Sequence, residues 1–350
     1  MHEFPIIGVR GKNHREMGRV LGEQLESAIR DILAEQGIPE KFDSAAQEAL
    51  ISNSFQQRMR RYAPELLEEM KGIAEGTGIP TKQIFIYNDL PEMWQANAFV
   101  PSAAQGCTAL GFQDSPMGPI IGKNNDIGEN KAKYHIPHRY TFPDGSRALI
   151  FTWPGTVWAN AFVNQWGLSC GGASVTSATV DPSGLPSNFK NRIVAQRANG
   201  VEKALEIEQA LPISSHAYTA VLADEKRLVG LEVGVGGLAV IEPSKAACWG
   251  VNHFTQPDMP ARQKLAAQLM ANSWARWARL EELANSTDHT VEGVKSILAY
   301  HAEWGSICQH GKGPSGMHTS ASYVMIPTQR RIEFAYGKPC ETPWVDVSML

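Results

Sequence analysis

The chain lacks any run approaching the roughly 18 consecutive apolar residues of a membrane span, so no part of it reads as membrane-embedded. An excess of positive charge is missing too: 32 Lys and Arg stand against 36 Asp and Glu, for a formal net charge of −4. With no Lys/Arg cluster to track a phosphate backbone, nucleic acid is excluded as a partner. Cysteine is scarce. Cys107, Cys170, Cys248, Cys308 and Cys340 are odd in number, scattered and without a CxxC pair, which speaks against a disulfide framework and for reduced thiols in a cytoplasm. Met1 to Arg30 mixes charged with apolar residues and has no secretory apolar core. No internal repeat or low-complexity linker is visible. What is present, 43% hydrophobic and 19% charged residues over 350 positions, suits a folded, enzyme-sized protein of one large domain or two ordinary ones.

The first hundred residues read as helical. Between Arg15 and Glu35, Met17, Leu21, Leu25, Ile29 and Ile32/Leu33 recur at helical spacing, and Gly37 and Pro39 end the run. A second stripe of Leu66, Leu67, Met70, Ile73 and Ala74 starts after Pro64 and stops at Gly76. Residues 81–100 are mixed, and the composition changes near Ser102. Beyond it strands dominate, with candidates at 120–121, 148–153, 161–163, 168–170, 219–223, 228–233, 238–241, 322–326 and 332–336. Short polar turns such as 224–227 and 327–330 separate several of them, as in antiparallel hairpins. Helices are expected near 201–211, 261–284 and 291–300, the long one burying Leu265, Leu269, Trp274, Trp277 and Leu280. Antiparallel strands with segregated helices make an α+β fold.

The informative segment is Gln105-Gly106-Cys107-Thr108, followed by Gly122-Lys123-Asn124-Asn125-Asp126. A Gly-Cys step alone says little, because a lone cysteine is usually a small buried hydrophobe. This one stands where a helical third gives way to strands, upstream of a polar segment that reads as a turn closing the next strand. Together with Val251-Asn252-His253-Phe254, these residues resemble the penicillin acyltransferase-like (acyl-coenzyme A:6-aminopenicillanic acid acyltransferase) family of N-terminal nucleophile hydrolases, relatives of bile-salt hydrolase and penicillin V acylase. Residues 64–76 resemble the family's propeptide helix, and residues 306–310 and 319–326 its C-terminal pattern.

The resemblance implies a four-layer αββα sandwich of two antiparallel sheets between helices. It implies a precursor that cuts itself between Gly106 and Cys107 into residues 1–106 and 107–350, both remaining in one structural domain. Carried over residue by residue, Cys107 is the nucleophile, Asp126 holds its new α-amine and Asn252 is an oxyanion donor. Ser174 and Lys123 are candidates for oxyanion or substrate contact. Relatives often carry arginine where this chain has Lys123, a point charge without a planar fork.

The chemistry is sound on general grounds. Gly106 lacks a Cβ and leaves its carbonyl open to the neighbouring thiol. A freed Cys107 has a thiol of pKa about 8.5 beside an α-amine of about 7.7–8.0 that can act as its base. Plainer roles exist: Asp126 as a turn residue, Asn252 as a satisfied buried amide, and Trp153, Trp158 and Trp166 as core rather than pocket. Gly230, Gly234, Gly236 and Gly237 read as turns. Cys308, His310 and His318 match no structural zinc spacing, so neither metal nor cofactor is expected. The expected activity is hydrolysis of a linear amide in a small N-acyl substrate. The alternatives are acyl transfer, with a CoA thioester as one donor, and a conventional Cys/His hydrolase or an uncut, non-catalytic binding protein. The two fragments are expected to stay associated, and a homo-oligomer is compatible with the sequence.

Overall fold

Along the central strands, neighbouring residues are buried on opposite faces, and this alternation fixes the layering. The structure, a computed structural model, describes residues 6–38, 45–96, 106–129, 131–264, 267–312 and 316–349. Gln105, Leu265 and the 97–105 segment around Ser102 lie outside the described residues. With strands numbered in chain order, one sheet runs β1 (Ile7–Arg10), β4 (Ile136–Thr141), β5 (Arg147–Thr152), β6 (Ala161–Asn164), β7 (Ser169–Thr176), β8 (His216–Ala223), β9 (Leu228–Gly234), β10 (Gly237–Ile241). The other runs β11 (Ala247–Gly250), β2 (Thr108–Phe112), β3 (Ile120–Ile127), β12 (His318–Ile326), β13 (Arg331–Ala335), β14 (Trp344–Ser348).

Leu149, Phe151 and Val221 of the first sheet face Ala109, Ile121, Tyr323 and Met325 of the second, forming the layer between sheets. Their neighbours Ala148, Ile150 and Leu222 turn outward to Met17, Leu21, Met70, Ile73 and Phe189. Leu110, Ile120, Val324 and Ile326 turn the opposite way, onto Leu280, Val294, Ile297 and Leu298. Strands buried on both faces explain why the hydrophobic runs here are continuous. The outer layers are α1 (His14–Gln36), α2 (Ala45–Tyr62), α3 (Pro64–Thr77), α4 (Thr81–Ala96), α5 (Ser187–Arg197) and α6 (Val201–Ala210) on one side, and α7 (Ala267–Ser286) and α8 (Val291–Ala299) on the other. The expected α+β αββα sandwich is therefore the observed architecture. Among the described residues no helix is long and apolar enough to cross a membrane.

The segment before Cys107 is built into this core. α1 and α3 touch backbone to backbone: a Cβ on Gly18 would lie 1.8 Å from the Glu69 carbonyl oxygen, and one on Gly72 1.9 Å from that of Arg15. Only glycine permits that approach. From α3, buried Glu69 accepts from Arg192 Nη2 on α5 through both carboxylate oxygens, at 3.1 and 2.9 Å, and lies 3.1 Å from His14 Nδ1. Burial alone would raise the Glu69 pKa, but Arg192 and His14 outweigh it and hold the carboxyl below its usual range.

Several expectations are corrected. The sheets are not wholly antiparallel, because β1 pairs parallel with β4 and adds a strand to the segment read as helical. Residues 81–96 are helical, and α2 and α5 join the list. The segment 122–126 is no turn but the second half of β3, hydrogen-bonded on both edges, to β2 and β12. Asn124 on it is satisfied internally, its Nδ2 donating to the Leu298 and Ile307 carbonyls at 2.9 and 3.0 Å. Ser174, a candidate contact residue, lies in β7. Gly230 and Gly234 are strand residues, while Gly236, at φ 70°, makes the β9–β10 turn. In α7 the buried positions are Ser273, Arg276, Leu280 and Ala284; Trp274 is 46% exposed and Trp277 partly buried.

Candidate active site

Cys107 immediately precedes β2, whose pairing of Thr108 with Asn124 sets it beside Asn125 of β3. Its Sγ is 3.8 Å from Asn125 Oδ1. The thiol is buried and lines a pocket of about 110 Å³, with Lys123, Asn125, Asn160, Ser174 and His216 among its walls. Trp153 and Trp158 also line it, as do Tyr87 and Leu90 of α4, so the segment before Cys107 supplies part of the wall. Trp166 is not among the lining residues. Burial pushes the Cys107 thiol up, and the neighbouring Lys123 charge works against that rise.

Lys123 crosses the pocket to donate to the Asn160 carbonyl at 2.6 Å. Gly171 on β7 leaves room for it, since a Cβ there would come 3.1 Å from Lys123 Cβ. Burial lowers the Lys123 pKa.

Asp126 lies one residue beyond Asn125 and so faces the helical side of its sheet. Its backbone carbonyl accepts from Gly106 N at 3.1 Å, and its Oδ1 accepts from Thr319 Oγ1 at 2.6 Å. A bulge in β12 makes this possible. Thr319 pairs with Asp126 and Ala321 with Asn125, leaving Ser320 as the extra residue, whose hydroxyl donates to the Asn125 carbonyl at 3.0 Å. The other carboxylate oxygen, Oδ2, is buried without a hydrogen-bond partner. Burial raises the Asp126 pKa to about 7, against the opposing pull of Arg276, the Thr319 hydrogen bond and Lys123. Gly106 is wedged alongside: a Cβ there would lie 2.4 Å from Met317 Sδ and 3.4 Å from Asp126 Cβ.

Asn252 follows β11. Its Nδ2 donates to the Ser174 carbonyl at 2.8 Å, and its Oδ1 accepts from Arg276 Nη2 at 2.7 Å. The guanidinium thereby fixes which end of the amide is the donor, and one N–H is left beyond the Ser174 bond. Arg276 Nη1 also donates to the Cys107 carbonyl at 2.7 Å and to Thr108 Oγ1 at 3.0 Å. One buried arginine thus ties the backbone of Cys107 to the Asn252 amide. His253 turns the other way, its Nδ1 2.7 Å from Ser273 Oγ one turn before Arg276. Burial and Arg276 lower the His253 pKa to about 4.

The structure therefore brings Gly106, Cys107, Lys123, Asp126, Ser174 and Asn252 into one contiguous cluster. Sequence reasoning missed Arg276, Thr319 and Asn125. The signal for Arg276 was its place with Ser273, Leu280 and Ala284 on one helical face. The signal for Thr319 was the polar run Thr319-Ser320 opening an otherwise apolar strand.

Among solved structures the chain is similar to a mutant of conjugated bile acid hydrolase from Clostridium perfringens, at 12% identity and TM-score 0.44 over 69% of this chain and 92% of that one. It is similar to the Caenorhabditis elegans N-acylethanolamine-hydrolyzing acid amidase ortholog, at 14% and 0.47 over 63% and 93%. Penicillin V acylase from Agrobacterium tumefaciens gives 13% and 0.45 over 69% and 86%. No curated protein sequence matches it. The family model for acyl-coenzyme A:6-aminopenicillanic acid acyl-transferase matches residues 115–341, a span that starts after Cys107 and includes Lys123, Asp126, Ser174, Asn252, Arg276 and Thr319. The chain belongs to the acyl-coenzyme A:6-aminopenicillanic acid acyl-transferase family.

Proposed function

We propose that the chain is a precursor that cuts itself between Gly106 and Cys107, and that the freed Cys107 hydrolyses a linear amide bond of a small N-acyl substrate. The observation that supports this reading best is Asp126: a buried carboxylate with one unpartnered oxygen, packed beside Gly106 at the proposed cut. In maturation the Cys107 sulfur attacks the Gly106 carbonyl carbon, a C–S bond replaces the C–N bond, and water hydrolyses the thioester. The products are a carboxylate at Gly106 and a free amine and thiol at Cys107. The amine then takes the thiol proton, the sulfur attacks the substrate carbonyl, and the amine product leaves with that proton. Water releases the acyl group. Charge building on the substrate oxygen meets the spare Asn252 N–H, with a backbone N–H of β7 near Ser174 as the second donor. Lys123 keeps the thiol's pKa from rising further and faces the substrate.

The residues before Cys107 stay attached as a smaller subunit, since they contribute to the same core and to the pocket wall. Amine release from a panel of small N-acyl amines and N-acyl amino acids tests the activity. Release by the processed enzyme, with acid as the co-product, is expected; none from any of them would defeat the hydrolytic reading. The family's own designation favours a second reading, in which a CoA thioester donates the acyl group and an amine accepts it. Free CoA formed only when an amine acceptor is added would establish that one.

Asn252→Ala is expected to lower kcat by about 10²–10³-fold, because the lost donor acts on transition-state charge. A folded variant with wild-type turnover would remove Asn252 from the mechanism. Asp126→Asn keeps the shape of the site and deletes its charge, so both maturation and turnover should fall. In the uncut chain that same charge costs stability. The carboxyl ionises at 3.8 when unfolded and near 7 when folded. Folding therefore takes up a proton between those values, and stability drops with rising pH by at most about 1.4 kcal/mol per unit. Asp126→Asn in a Cys107→Ala background should raise Tm at pH 8 and leave it nearly unchanged at pH 4. Identical melting at pH 8 would show that the carboxylate is not held in a costly buried state.

A further inference from the structure

On the far side of Thr319 from Asp126, the fold gathers four side chains that the proposed chemistry does not use. Cys308 and His310 lie two residues apart, and Cys340 joins them from the turn after β13. Cys308 Sγ is 3.6 Å from Cys340 Sγ and 3.5 Å from His310 Nε2, and Cys340 Sγ is 3.3 Å from that same nitrogen. Three soft donors thus form a nearly equilateral triangle. A tetrahedral zinc ion with Zn–S of about 2.3 Å and Zn–N of about 2.0–2.1 Å has edges of about 3.8 Å between sulfurs and about 3.6 Å between sulfur and nitrogen. The triangle matches one face of that tetrahedron to within a few tenths of an ångström.

The candidate for the fourth corner is His301, one of whose ring nitrogens lies within 4.8 Å of ligand atoms of both His310 and Cys340. The ring nitrogens pointing away are already engaged. His301 Nδ1 is 3.2 Å from the Ala299 carbonyl oxygen, and His310 Nδ1 is 3.5 Å from Glu341 Oε1. A carbonyl or carboxylate behind Nδ1, leaving Nε2 for the ion, is the arrangement that metal-bound histidines almost always show. His318, grouped with Cys308 and His310 in the sequence, is not part of the cluster, and Cys340 and His301 take its place.

We propose that Cys308, His310, Cys340 and His301 bind a structural zinc ion. Two thiolates neutralise the cation, and two imidazoles complete a closed site with no open position for catalysis. The ion would fasten the turn carrying Cys340 to the segment that supports Asp126. Gln309, between two of the ligands, donates its N–H to Thr319 Oγ1 at 2.8 Å and accepts from Thr319 N at 2.9 Å, and Thr319 in turn holds the carboxylate.

The test is metal analysis of the untagged, full-length protein purified under reducing conditions, together with cobalt substitution and melting. About one zinc per chain is expected, with a thiolate-to-metal charge-transfer band in the cobalt form and a lower Tm once a chelator strips the ion. Cys340→Ser should lose the zinc. Should that variant not fold, Glu341→Gln leaves all four ligands in place and should weaken zinc retention by about 10–100-fold. The proposal is overturned if the protein holds no zinc and added zinc leaves Tm unmoved, or if cobalt binds without the charge-transfer band. Retention of zinc by folded Cys340→Ser would also overturn it. So would a Cys308–Cys340 disulfide found by alkylation without reduction, which would make the pair an oxidised crosslink.

Discussion

Cys107→Ala is expected to remain a single polypeptide of 350 residues and to have no activity, because the atom proposed to attack both the Gly106 carbonyl and the substrate is gone. The surroundings should tolerate the change, since the thiol's contacts are weak ones, a 3.8 Å approach to Asn125 Oδ1 and a backbone hydrogen bond at Asp126. Melting of the variant should therefore stay near that of the uncut wild type. Cys107→Ser keeps a nucleophile of far higher pKa, and slow or partial cleavage with poor turnover is expected. The pair separates self-processing from trimming by a contaminating protease, which would not distinguish thiol, hydroxyl and methyl. Cleavage of Cys107→Ala at the same bond would end the N-terminal-nucleophile reading and return Cys107 to the role of a small core residue.

Arg192→Met should be the most destabilising single change away from the candidate active site, by about 3–5 kcal/mol at neutral pH. Arg192 is fully buried, and its guanidinium is the principal partner of an equally buried carboxylate. Removing it leaves the buried Glu69 charge with His14 at 3.1 Å and the neighbouring Tyr140 but without its guanidinium partner. In wild type Glu69 titrates below its unfolded value, so the pair stabilises above that pH and the contribution is lost as pH falls through the folded pKa. In Arg192→Met, burial prevails and the carboxyl titrates high, so the deficit should shrink in acid and grow toward neutrality. Glu69→Gln added to Arg192→Met should recover part of the loss, since no unpaired charge then remains. A deficit of equal size at pH 4 and pH 7, with no recovery in the double variant, would show that lost packing rather than charge explains the effect. Glu69 and Arg192 lie on opposite sides of the proposed cut. Being buried, their bond should hold the fragments together at salt concentrations that release surface pairs.

Local signals in the sequence carried far where one periodicity ruled. The apolar spacing of α1 and α3, bounded by Gly37, Pro64 and Gly76, places both helices to within a residue or two. The β8–β9 and β12–β13 hairpins follow from their polar turns. Failures cluster where burial is polar. Lys123-Asn124-Asn125-Asp126 looks like a turn because those residue types favour turns, yet here they are strand residues whose side chains find partners on α8, β12 and the opposite sheet. Trp274 and Trp277 drew the apolar face of α7 to the wrong side, because a charged Arg276 on the true face reads as solvent-exposed. Besides Asn272 one turn away, its partners are the Cys107 carbonyl, Thr108 and Asn252, the nearest of these three 24 residues away, and no local pattern announces such long-range bonds. Cys340 is likewise 32 residues from Cys308. Of the expected cluster, Gly106, Cys107, Asp126 and Asn252 were legible by motif, while the arginine that joins Cys107 to Asn252 was not.

Intact-mass and N-terminal analysis of the purified wild-type protein, before any substrate is added, tests the central claim most directly. The account predicts two associated polypeptides, residues 1–106 and 107–350, the second beginning Cys107-Thr108-Ala109. A single uncut chain that nevertheless turns over substrate would contradict it.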